Sequence, residues 1–158
     1  MRELRGDPGA GGRRFALVAS RFNQVVVEKL VAGALECLRS HGVAEDHLEL
    51  VWVPGAFELP LVARALARTG RFDAVICLGA VIRGETAHYD AVVARAVDGI
   101  GRAADDTGVP VIFGVLTTET LDQAMERAGG SHGNKGWDAA MAARDMSSLL
   151  ERVEKEEG

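Results

Sequence analysis

Cysteine is scarce in this chain. Cys37 and Cys77 stand far apart, each inside an apolar stretch, with no Cys-x-x-Cys spacing. That excludes a disulfide framework and a thiolate metal site. Both read as small buried hydrophobes of a protein kept in a reducing cytoplasm. The four histidines are scattered and offer no ligand cluster, so no metal and no cofactor is expected. No apolar run reaches the roughly 18 residues a membrane span needs. The segment Met1–Arg14 has charges and glycines but no apolar h-region, which excludes a signal peptide. There is no excess of basic charge: the net charge is −5, which argues against nucleic acid as the main partner.

What is present fits one soluble globular domain. The chain has 158 residues, 47% of them apolar and 26% charged, enough for one sizeable core but not two. An arm over 1–14 precedes a single domain over 15–158. Short apolar runs alternate with longer helical patterns: strands over Phe15–Ala19, Leu48–Val53, Ala74–Ile82 and Val111–Leu116. Helices are expected from Gln24 to His41, from Pro54-Gly55 to Thr69, from His88 to Thr107, from Thr118 to Arg127 and from Trp137 to Val153. A glycine-rich link, Ala128–Gly136, precedes the last. Such alternation predicts a mainly parallel four-stranded sheet covered by helices on both faces. Right-handed crossovers then place every strand-to-helix turn on one edge.

That edge gathers the chemistry. The stretch Gly79-Ala-Val-Ile-Arg-Gly-Glu-Thr-Ala-His-Tyr-Asp90 is the most informative. A buried strand breaks into Arg83-Gly84-Glu85-Thr86, a turn whose glycine lets backbone N–H groups approach an anion. His88 follows at a helix start, and histidine is the residue type most suited to carry protons near neutral pH. The layout points to an enzyme acting on a small anionic substrate at the carboxyl ends of parallel strands. Each residue also has a plainer reading. Phe22 could cover the sheet end, Asn23 could cap a helix, and Glu58, beside Phe57, could simply favour a helix dipole. Thr86 could be a cap, His88 a solvated first-turn residue, Phe113 core, Arg127 a dipole partner and Lys135 a solvated loop residue.

Five blocks in order carry a resemblance: Ser20-Arg-Phe-Asn23, Pro54-Gly-Ala-Phe-Glu-Leu-Pro60, Gly79–Asp90, Phe113-Gly-Val-Leu-Thr117, and Glu126-Arg-Ala-Gly129 with Gly133-Asn-Lys-Gly136. From about Phe15 to the last helix the chain resembles the 6,7-dimethyl-8-ribityllumazine synthase family of riboflavin biosynthesis. The resemblance implies a three-layer α/β/α, flavodoxin-like fold. A strand from a neighbouring subunit's N-terminus can extend its sheet, although Pro8 and the glycines here leave only Met1–Arg5 suited to that. It implies condensation of 5-amino-6-ribitylaminouracil with 3,4-dihydroxy-2-butanone 4-phosphate, releasing phosphate and water.

On that resemblance Phe22 stacks on the pyrimidine and Asn23 meets polar ring atoms. Ala56, Phe57 and Glu58 hold the ribityl hydroxyls, and Val81 and Ile82 line the heterocycle. Glu85 and Thr86 backbone groups, with Arg127, hold the phosphate, and His88 carries protons. Phe113, Arg127 and Lys135 reach the site from the adjacent subunit, so the resemblance implies a pentamer. The short Ala128–Gly136 link points to a sixty-subunit icosahedral shell, which can enclose riboflavin synthase. The substrate brings its own amine, in keeping with the lack of a serine or cysteine nucleophile beside a base. Two other readings use the same fold: a riboflavin synthase of the archaeal type, and a shell subunit that binds flavin-like ligands without turnover.

Overall fold

The computed structural model describes residues 1–9 and 12–157. Four strands, β1 (Phe15–Ser20), β2 (Leu48–Val53), β3 (Ala74–Ile82) and β4 (Val111–Thr118), pair in the order β2-β1-β3-β4, every pair parallel. Strand order reverses between β1 and β3, and that switch opens a crevice at the carboxyl ends of a doubly wound sheet.

The crossovers supply the outer layers. Helices α1 (Gln24–Ser40) and α5 (Lys135–Glu157) cover one face, and α2 (Leu59–Arg68) and α3 (His88–Thr107) the other. Apart from Ser20 at the end of β1, the central strands are apolar because both their faces are buried. Phe15, Leu17, Ile76 and Leu78 pack toward α1 and α5, while Ala16, Val18, Val75 and Cys77 pack toward α2 and α3. Burial pushes the Cys77 thiol up to about 12, and it raises that of Cys37 as well. Neither is therefore a thiolate at neutral pH.

Several expected boundaries shift: β1 runs on to Ser20, α1 and α2 end one residue early at Ser40 and Arg68, and α5 runs from Lys135 to Glu157. The segment after Pro54-Gly55 opens with a 3₁₀ turn, Ala56–Glu58, before α2 begins at Leu59. β4 continues through Thr118 because Thr117 and Thr118 still pair with Val81 and Ile82. The next helix, α4, accordingly spans only Leu121–Glu126. Its start is set by a capping box in which the Thr120 hydroxyl accepts from Gln123 N and the Gln123 side chain accepts from Thr120 N. The glycine-rich link folds as a small antiparallel hairpin, β5 (Ala128–Gly130) and β6 (Gly133–Asn134), closed by Lys135 N donating to Arg127 O at 2.8 Å.

Asn134 joins that hairpin to the helical layer. Its Oδ1 accepts from Gly136 N and Trp137 N, starting α5 two residues before Trp137, and its Nδ2 donates to Lys29 O of α1 at 3.0 Å. Gly136 allows this close approach, since a Cβ there would land on the Leu30 carbonyl oxygen. Residues 1–9 and 12–14 form no helix or strand. Part of this arm touches α5, where Arg152 Nη1 donates to Arg5 O at 2.7 Å and Arg13 pairs with Glu151 at 2.9 Å.

Gly136→Ala should therefore destabilise the protein by about 1–3 kcal/mol, the range for overpacking a filled interior. A urea titration followed by circular dichroism reads this as a lower midpoint. An unchanged midpoint would show that α1 and α5 can separate freely.

Candidate functional site

The β1 segment enters the crevice through a tight turn. Arg21 N donates to Val53 O at 2.8 Å and Phe22 N to Pro54 O at 3.0 Å, so the chain follows β2 past the end of the strand. Asn23 then reverses it into α1 with φ 60° and ψ 44°. Among the described residues it is the sole non-glycine with positive φ, a conformation asparagine tolerates better than most side chains. Asn23 occupies the helix cap position, but its side chain makes no cap bond. Its Nδ2 instead donates to Ala80 O of β3 at 2.9 Å, bracing the turn across the switch point. This turn leaves the Phe22 ring 71% exposed at the mouth of the crevice, open to a flat ligand.

The turn after β2 forms the opposite wall. Phe57 is half exposed, with the Arg95 guanidinium 5.5 Å from its ring centroid. Glu58 is half-buried, and its carboxylate is taken up by no other side chain among the described residues. The end of β3 makes the floor with Ala80, Val81 and Ile82. Together these segments and the start of α3 enclose a cleft of about 630 Å³. Its volume and its aromatic and apolar lining suit a small-molecule ligand.

The fourth side is the anion turn. Arg83 through His88 are exposed, and none of the hydrogen bonds among the described residues takes up the N–H of Gly84, Glu85 or Thr86. Ala87 caps α3 without a side-chain bond, so the positive end of a 20-residue helix faces the same place. Unbonded N–H groups and a helix N-terminus thus lie beside Thr86 and His88, which both line the cleft.

The structure thus brings Phe22, Ala56, Phe57, Glu58, Val81, Ile82, Thr86 and His88 to one cleft. Asn23 stands behind it and Glu85 on its rim. Phe113, Arg127 and Lys135 are not brought there within one chain. Phe113 pairs in register with Cys77, five residues short of Ile82 along β3, roughly 16 Å from the sheet edge at the usual strand rise. Arg127 follows α4, where its Nη1 donates to Gln123 O at 3.0 Å, and Lys135 is exposed at the start of α5.

Sequence reasoning gave no role to Tyr89 and Val92, which also line the cleft. Their signal was present: with His88 they fall on one helical face at spacings of one, three and four. Among the described residues no group of three or more His, Cys, Asp or Glu is placed to hold a metal ion, and no helix is long and apolar enough to cross a membrane.

Replacing Asn23 tests the brace. Asn23→Ala loses the bond to Ala80 and places a Cβ-bearing residue without a polar tip in the left-handed region. Asn23→Gly loses only the bond and some chain stiffness. Alanine should therefore be the more damaging by about 1 kcal/mol in a denaturation titration. Equal losses would show that the backbone conformation is not the constraint.

The family model for 6,7-dimethyl-8-ribityllumazine synthase matches residues 12–151, nearly the whole chain and every segment that lines the cleft. The chain belongs to the 6,7-dimethyl-8-ribityllumazine synthase family, a family of transferases.

Proposed function

We propose that the protein condenses 5-amino-6-(D-ribitylamino)uracil with 3,4-dihydroxy-2-butanone 4-phosphate to 6,7-dimethyl-8-ribityllumazine. The observation that carries this reading is the meeting, in one cleft, of the unbonded N–H turn and His88 with the exposed Phe22 ring and the unpaired Glu58 carboxylate. Each part suits one portion of the two substrates. Phe22 stacks on the pyrimidine, with Asn23 at its polar edge and Val81 and Ile82 along its side. Ala56 and Phe57 backbone groups and the Glu58 carboxylate bind ribityl hydroxyls. Glu85 and Thr86 N–H groups receive the phosphate.

The substrate's 5-amino group attacks the ketone, and water leaves as the imine forms. Loss of a proton beside the imine expels phosphate by β-elimination. The enol so formed tautomerises to a ketone, and the ribityl-bearing nitrogen closes the ring with loss of a second water. In this reading His88, which lines the cleft, takes and returns protons at the carbon beside the imine. Holding two reactants together supplies much of the acceleration, and the amine that does the covalent work comes with the substrate.

Phe113, Arg127 and Lys135 lie away from the cleft of their own chain, so we infer that they act on the site of an adjacent subunit. There Arg127 would pair two phosphate oxygens with its planar fork. Such shared sites require a ring of subunits, for which we propose a pentamer. The short hairpin link favours twelve pentamers closed as a shell, which could enclose riboflavin synthase. We place the enzyme in the cytoplasm, in keeping with two buried free thiols.

Mixing the two substrates with the assembled protein should raise lumazine absorbance above the protein-free rate, with one phosphate released per lumazine. A rate equal to the protein-free control would overturn the reading. His88→Ala should slow turnover by roughly 10²- to 10⁴-fold without abolishing it, since binding of both substrates persists. Full activity in that variant would remove His88 from the proton-transfer role.

A further inference from the structure

The turn that would receive the phosphate has little of its own to hold it in shape. Within Gly84–His88 the one internal hydrogen bond runs from His88 N to Thr86 Oγ1 at 3.3 Å. A Cβ built on Gly84 would meet nothing within 4 Å. A segment with so few contacts opens easily. Yet an anion cradle binds well only if its N–H groups already converge when the anion arrives. Its flanks must therefore supply the order.

Both flanks meet at Arg83. Its backbone N donates to Thr118 O at 2.9 Å, carrying the β3–β4 pairing one residue past Ile82. Its Nε lies 3.0 and 3.1 Å from the two carboxylate oxygens of Glu119, and its Nη2 lies 3.5 Å from Asp90 Oδ1. The guanidinium carbon sits 4.4 Å from the centroid of the Tyr89 ring. Asp90 and Tyr89 belong to the first turn of α3, beyond the anion turn, and Glu119 to the segment after β4. Glu119 is itself placed, since its N–H donates to Gln123 Oε1 at 2.9 Å beside the capping box of α4. One planar group thus joins the residue before the turn, the helix after it and the end of the neighbouring strand.

We propose that Arg83 is a positioning residue, which holds residues 84–87 as a fixed arch between β3 and α3 so that their N–H groups face the cleft. This rests on the condensation reading above. Two carboxylates take up the Arg83 Nε and Nη2 and the Tyr89 ring covers one face, so the guanidinium is directed to the arch and not to the phosphate. The Tyr89 ring it covers is a wall of the cleft, so the same side chain sets the arch and the wall beside it. Lysine could keep the charge but not the fork and the stacking together.

Steady-state kinetics on the assembled protein, with each substrate varied in turn, tests this. Arg83→Ala should raise KM for the butanone phosphate roughly three- to tenfold, the scale of an exposed ion-pair network with a cation–π contact. KM for the pyrimidine should stay near its starting value, and Arg83→Lys should recover only part of the loss. Glu119→Gln should raise the phosphate-substrate KM as well, because it releases one arm of the clamp. A lower KM in Glu119→Gln would mean that freed Arg83 binds the phosphate itself, and would overturn the positioning role. Unchanged values in Arg83→Ala, or equal rises for both substrates, would overturn it too. Calorimetric titration with inorganic phosphate gives a readout apart from turnover, weaker for Arg83→Ala than for the parent. If the parent protein turns over neither substrate, the condensation reading fails, and the phosphate titration still decides the arch.

Discussion

The parallel pairing of β3 between β1 and β4 is the constraint on which the rest depends. Because β1 leads through α1 to β2 on one side and β3 leads through α3 to β4 on the other, the crossovers after β1 and β3 leave in opposite directions, and the crevice opens between those two strands. Phe22 at one lip and the anion turn at another are consequences of that order. Asn23 reinforces it, with an amide reaching from the β1 turn to the Ala80 carbonyl. The same ladder, carried by Arg83 N to Thr118 O, ends at the root of the anion turn. A rigid sheet thereby presents turns whose own contacts are few.

Function in such a protein lies in the exposed edge, and the burial pattern shows the division. The central strands β1 and β3 bury nearly every side chain, whereas the turns leave Phe22, Phe57, Glu85 and His88 open. Neutral thiols deep in the core and free N–H groups at the edge mark opposite ends of the same design. The core withholds reactive groups, and the edge offers them. The condensation proposed above, whose nucleophile comes with the substrate, asks for little more than placement and proton transfer, which fits this allocation.

Much of this was legible in the amino-acid order, and the failures have physical causes. The bounds of β2, β3 and α3 could be read to the residue. β3 is an unbroken apolar run between Asp73 and Arg83, and Gly108 ends α3 with φ 71°. The start of α4 was misread because Thr118 looks like a cap as well as Thr120 does. Only pairing with Ile82, a contact made 36 residues away in sequence, keeps Thr118 in the strand. The β5–β6 hairpin has strands too short for any periodicity to register. The cleft residues on the β1, β2 and β3 turns were legible because topology puts all such turns on one edge. The role of Arg83 was not, because an exposed arginine in a turn looks alike whether solvated or clamped between two carboxylates and a ring.

The most direct measurement is a crystal structure of the assembled protein grown with inorganic phosphate. The account predicts phosphate within hydrogen-bond distance of the Glu85 and Thr86 N–H groups, beside His88, with an adjacent subunit's arginine completing the site and the Arg83 side chain still turned to Glu119 and Asp90. Phosphate bound elsewhere, with the Gly84–Thr86 turn empty or collapsed onto its own carbonyls, would contradict it.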